Sequence, residues 1–156
     1  MKHTLTRSLL VSLVALTPFT LQAEPDMERG KALNRQCALC HGFHGQGILG
    51  GQHASFLHSQ PEVEVVAVAD IRQEVADKVA GQVKAQAYTD YARMLKEHKL
   101  DVVAIATPDP LHRDPVLATI AAGVPNIILE KPLATTVADA EKMYDAAEQA
   151  NARVFI

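Results

Sequence analysis

From residue 63 onward, short apolar runs rich in β-branched residues alternate with longer stretches whose apolar positions recur every three or four residues. Val63 to Ala69 (VEVVAVA) reads as a strand ended by Asp70. Residues 71–81 follow as a helix, with Val75 and Val79 one turn apart on one face. Thr89-Asp90 opens another helix running to Glu97, and residues 101–106 (DVVAIA) are apolar after the first position, the pattern of a strand covered on both faces. A helix over residues 112–122 ends at Gly123, a natural left-handed cap. Residues 126–130 form the next strand, Thr136-Val137-Ala138-Asp139 opens a helix with a capping-box pattern, and residues 153–156 begin one more strand. Strands and helices alternating in this way predict a doubly wound α/β domain, a parallel Rossmann-like sheet with right-handed crossovers.

Upstream the pattern is less regular. A helix is expected to open at Gly50 and run through Leu57. The strand that should precede Gly45 falls on residues 39–44, where two histidines and a glycine make a degraded central strand. Further back, Asp26 can cap a helix over residues 27–36, with Glu28 in its first turn where the helix dipole favours negative charge. Residues 1–23 read as a signal peptide: Lys2 and Arg7 are followed by an apolar run over 9–21 and a cleavage point after Gln22-Ala23. That run is too short and too often interrupted for a stable membrane span, so the expectation is a periplasmic or secreted chain, or a cytoplasmic one if the leader is an artefact.

A chain of 156 residues with 48% hydrophobic content has room for one ordinary domain and enough apolar surface for a core. The formal charge of -3 is spread among interspersed acidic and basic residues, which argues against a nucleic-acid partner. Both cysteines of the chain belong to one motif, so no disulfide framework is implied.

That motif is Cys37-Ala38-Leu39-Cys40-His41, the C-x-x-C-H spacing of covalent c-type haem attachment: two thiols take up the vinyl groups and His41 ligates the iron. Met94 and Met143 fit core positions better than a sixth iron ligand, and His44, His53, His58 and His98 suit solvent-facing or hydrogen-bonded roles better than ligation. Four residues after His41 begins Gly45-Gln46-Gly47-Ile48-Leu49-Gly50, the G-x-G-x-x-G of a dinucleotide loop. Alone it is a weak signal. It gains weight from the helix and strand that follow and from Asp70, twenty residues past Gly50, where a carboxylate would meet the adenosine ribose hydroxyls. Asp70 favours NAD over NADP because it repels a 2'-phosphate, while Arg72 can offset that repulsion.

Two families meet in these motifs. RGKALNRQCALCHGFHGQG resembles the start of a class I c-type cytochrome, a resemblance confined to the first fifty residues or so. Residues 45–156, with Gly45, Gly47, Gly50 and Asp70, with Thr107-Pro108-Asp109-Pro110-Leu111-His112 after one strand and with Glu130-Lys131-Pro132 after the next, resemble the N-terminal half of the Gfo/Idh/MocA oxidoreductases. The second resemblance implies hydride transfer between a sugar or polyol and NAD or NADP. Lys131 would then sit by the nicotinamide and the substrate hydroxyl, where burial would tune it for acid-base work, and Thr107, Pro108, His112 and Glu130 would belong to the cofactor site. It also implies that the C-terminal substrate domain is missing after Ile156, and it is compatible with a homo-oligomer.

The division expected is therefore a signal peptide over 1–23, a cytochrome-like segment over 24–44 and a truncated nucleotide-binding domain over 45–156. An oxidoreductase fragment explains more residues than an exported carrier with haem c at Cys37, Cys40 and His41. A junction of the two at their shared Gly-x-Gly is the third reading. Haem on His41 and a pyrophosphate at the glycine loop would compete for one space.

Overall fold

The structure, a computed structural model, describes residues 35–41 and 48–156. The leader, most of the helix expected over 27–36, His44, Gly45 and Gly47 lie outside them. In chain order the elements are β1 (Arg35–His41), α1 (Ile48–His58), β2 (Val63–Ala69), α2 (Gln73–Val83), β3 (Gln86–Tyr88), α3 (Tyr91–Glu97), β4 (Val102–Ala106), α4 (Arg113–Ala121), β5 (Asn126–Leu129), α5 (Val137–Ala150) and β6 (Arg153–Phe155). A short 3-10 turn, Asp109–Leu111, precedes α4.

The six strands form one parallel sheet in the order β3-β2-β1-β4-β5-β6. Its two faces carry separate cores. On one, Ala54 of α1 and Val79, Ala80 and Val83 of α2 pack on Val65, Val68 and Ala104. On the other, Met94 and Leu95 of α3, Val116 and Ile120 of α4, and Met143 and Ala147 of α5 pack on Ala67, Ala69, Val103, Ile105, Ile127 and Leu129. A strand covered on both sides has no polar face to spare, which is why β4 and β5 read as continuous apolar runs. The register of β1 on β2 jumps from Cys37 opposite Val65 to Ala38 opposite Ala67. Val66 is the extra residue, and past this bulge the inward and outward positions of β2 exchange.

Local chemistry sets the helix boundaries. Asp90 accepts a hydrogen bond from the Ala92 amide at 2.8 Å, and Thr136 accepts one from the Asp139 amide at 3.1 Å. Gly123 adopts the expected left-handed conformation at φ 78°, ending the turn after α4. The αL residues after α2 and α5 are Lys84 (φ 59°) and Asn151 (φ 52°).

Two expectations are corrected and one element is added. Arg35 and Gln36 belong to a strand, not to the end of a helix, because their backbone pairs with β2. The central strand lies at Arg35–His41 instead of 39–44, pairing with β2 through Arg35 to Cys40 and with β4 through Cys37 to His41. β3 was not foreseen: three residues, Gln86–Tyr88, with no β-branched side chain carry no periodic signal. Among the described residues, no helix is long and apolar enough to cross a membrane.

Candidate functional site

In a parallel sheet all carboxyl ends lie along one edge, and here the strand order reverses direction between β1 and β4. Asp70 follows β2, the neighbour of β1, while Glu130-Lys131 follows β5, the neighbour of β4. The two motifs therefore stand symmetrically about the switch point, three strand spacings or about 14 Å apart. α1 starts at Ile48, within a few residues of the end of β1, so its free N-H groups open onto the same edge.

Asp70 is 1% exposed. Its Oδ1 accepts from the Arg72 amide at 2.9 Å and faces Arg72 Nε at 3.4 Å, and its own amide donates to Tyr88 O at 3.0 Å. A tight turn thus fixes the carboxylate, and the Arg72 guanidinium partly neutralises it. Next to it on β3, Tyr88 donates its hydroxyl hydrogen to Glu97 Oε2 at 2.9 Å. That leaves His98 Nε2, 2.8 Å away, as the donor to the phenol oxygen. Burial, reinforced by Glu97, pushes the Tyr88 phenol up from its ordinary value. The hydrogen bond from Arg93, then that from Tyr88, holds the Glu97 carboxyl below the usual carboxylate range.

At the end of β4, Thr107 donates from Oγ1 to Leu111 O at 3.3 Å, and Pro108 starts the 3-10 turn. His112 was expected in the crevice wall. Its side chain is instead 1% exposed, with Nε2 2.8 Å from Thr107 O and Nδ1 2.9 Å from Pro132 O. Both neighbours are carbonyl oxygens, so the ring lies beneath the two loops and ties one to the other.

Glu130 continues the β4–β5 ladder through its amide, which donates to Ile105 O at 3.0 Å. Its carboxylate is engaged by a residue that sequence reading had set aside: His53 Nε2 on α1 lies 2.6 Å from Glu130 Oε1. The only advance signal for this contact was a histidine one turn into the helix after the glycine loop. The peptide bond between Lys131 and Pro132 is cis. Lys131 itself is exposed.

Of the three fingerprint glycines, Gly50 is described; it lies buried in the first turn of α1, which begins two residues earlier than expected. Cys37, Cys40 and His41 lie on extended backbone in the middle of the sheet: Cys37 and Cys40 pair with β2 on one side and β4 on the other, and His41 pairs with Ala106 of β4. Met94 and Met143 are core residues, 0% and 1% exposed. Among the described residues no group of three His, Cys, Asp or Glu side chains is arranged to hold a metal ion. A buried carboxylate at the end of β2, a helix opening beside β1 and two neighbouring loops at the exits of β4 and β5 fit a dinucleotide.

Comparison with known proteins agrees. Residues 40–156 match the model of the Gfo/Idh/MocA oxidoreductase family, described as an NAD-binding Rossmann fold. Inositol 2-dehydrogenase of Rubrobacter xylanophilus is 36% identical over 106 residues, which are 67% of this chain and 30% of that protein. The Pseudomonas fluorescens enzyme of the same name is 37% identical over 112 residues, 67% of this chain and 32% of that one. Among solved structures, GenD2 from gentamicin A biosynthesis, in complex with NAD, superposes with a TM-score of 0.73 at 27% identity, covering 80% of this chain and 34% of that one. An NAD binding oxidoreductase from Klebsiella pneumoniae gives 0.66 at 31% identity, covering 78% and 33%. The chain thus spans about a third of the length of these relatives.

Proposed function

The chain belongs to the Gfo/Idh/MocA oxidoreductase family, in the part that forms the NAD-binding Rossmann fold, and on that premise we propose that it is the nucleotide-binding half of an NAD-dependent sugar or polyol dehydrogenase. The observation that carries the reading is the placement of Asp70 and Lys131 either side of the β1/β4 switch point on one edge of the sheet. Asp70 takes the adenosine ribose hydroxyls. The backbone leading into α1, with Gly45, Gly47 and Gly50, takes the pyrophosphate.

Thr107 and Pro108 line the wall between the two ends. Lys131 stands at the nicotinamide end, where an ammonium hydrogen-bonds a substrate hydroxyl and steadies the alkoxide left once that hydroxyl has passed its proton to solvent water. The nicotinamide supplies the hydride acceptor when NAD is bound. The inositol dehydrogenases among the relatives support a polyol as substrate class. Export by residues 1–23 belongs to the same proposal, and N-terminal sequencing of the purified protein tests it.

Calorimetric titration of the purified chain with NADH and with NADPH tests the central claim. One-to-one binding of NADH, tighter than NADPH, is expected; no heat with either nucleotide would sink the reading. Replacing the corresponding third of the Rubrobacter relative with residues 35–156 and following NADH formation from inositol tests the substrate class.

A further inference from the structure

Lys131 is exposed on a loop, and the backbone beneath it sets the point and direction from which its flexible four-carbon stem reaches. Here the loop is held at three points, two on its backbone and one on a side chain next to Lys131. The Glu130 amide donates to Ile105 O on β4, the carbonyl of Pro132 faces His112 Nδ1, and the Glu130 carboxylate meets His53. The first two anchors come from the strand next door and from the loop that follows it. The third comes from 77 residues away, on the helix that opens directly after the glycine loop.

At 2.6 Å the contact is short for an imidazole N-H on a carboxylate, and the side chains are 29% and 23% exposed, so solvent screens it less than a surface pair. α1 and β5 also share an apolar groove of roughly 500 Å³ that Gln52, Phe56, Leu57 and Ile128 line with these two residues. We infer that His53 is a positioning residue for Lys131, acting through Glu130. It couples the helix whose N-terminus faces the pyrophosphate to the loop that carries the nicotinamide-side lysine. This rests on the proposed role of Lys131 and adds to it a residue from outside the cofactor motifs.

The test reads Lys131 directly. The purified full chain is acylated with a small succinimidyl ester, and the rate at each lysine is measured by peptide mass spectrometry, with exposed Lys96 and Lys142 as internal references. His53→Ala is expected to change the Lys131 rate about threefold or more relative to the references, and to lose that effect in a Glu130→Ala background, as coupled residues do in a double-mutant cycle. His53→Gln, whose amide nitrogen reaches about as far as Nε2, is expected to restore the wild-type rate. A general loosening of the fold would move all three lysines together.

An unchanged Lys131 rate in His53→Ala, or an equal change with and without Glu130, would overturn the inference. Should the alanine variant fail to melt cooperatively, His53→Asn, too short to reach Glu130, carries the same comparison. NADH titration of the same samples keeps the two claims apart: a wild type that binds no NADH sinks the nucleotide reading, while the labelling ratios still decide the role of His53.

Discussion

The imidazole of His112 bridges two loops twenty-five residues apart in sequence, its Nε2 2.8 Å from Thr107 O and its Nδ1 2.9 Å from the carbonyl of Pro132. A neutral imidazole carries one N-H, and either tautomer gives it a carbonyl acceptor. The bridge draws together the exits of β4 and β5, the two strands on the Lys131 side of the switch point. His112→Ala removes a fully buried ring and leaves one carbonyl without its donor, for an expected loss of about 2–4 kcal/mol. Chemical denaturation checks this, and a loss within error of zero would show that the ring is not holding the loops.

On the proposed reading, Asp70 sets the choice of nucleotide. Asp70→Ser removes the charge that repels a 2'-phosphate and leaves Arg72 beside the ribose site. The ratio of NADPH to NADH affinity is expected to rise about tenfold, roughly 1.4 kcal/mol. Paired calorimetric titrations measure the ratio, and an unchanged ratio would remove Asp70 from the ribose site.

Acid should weaken the fold through two carboxylates. The hydrogen bond from Thr136, followed by that from Arg113, holds Asp139 below its ordinary range, and Arg93 and then Tyr88 do the same for Glu97. A depressed folded-state value means that the unfolded chain binds protons first. The stabilisation is therefore complete above the unfolded carboxylate range and lost as pH falls below about 4 toward the lowered folded values. Melting temperatures between pH 7 and pH 3 should fall less steeply in the Asp139→Asn, Glu97→Gln double variant than in the wild type; parallel slopes would contradict the linkage.

Lys84 ends α2 at φ 59°, where a Cβ is strained, and its side chain is exposed. Lys84→Gly should stabilise the chain by about 0.5–1 kcal/mol, since relief of the strain outweighs the added freedom of the unfolded glycine. Thermal unfolding reads the sign. A lower melting temperature would mean that the lysine stem covers apolar surface worth more than the strain.

The sequence alone determined the parallel α/β alternation and the residues that close its strands, because these are local. A run such as VEVVAVA is a strand, Asp90 and Thr136 are caps and Gly123 is a stop whatever surrounds them. The motifs around Asp70 and Lys131 were equally legible, since a short spacing fixes each to the end of its own strand.

Only the tertiary structure decided what the polar side chains do. His53 and His112 look alike in sequence, one histidine near the start of a helix each. One meets a carboxylate 77 residues away, and the other lies buried between two carbonyls brought together by neighbouring parallel strands. The place of Cys37, Cys40 and His41 on the central strand was settled in the same way. A C-x-x-C-H spacing suits either a haem-bearing helix or an extended chain, and pairing with β2 on one side and β4 on the other selects the extended form. Strand pairing and side-chain contacts across long sequence separations leave no periodic trace, so they become visible once the sheet is assembled.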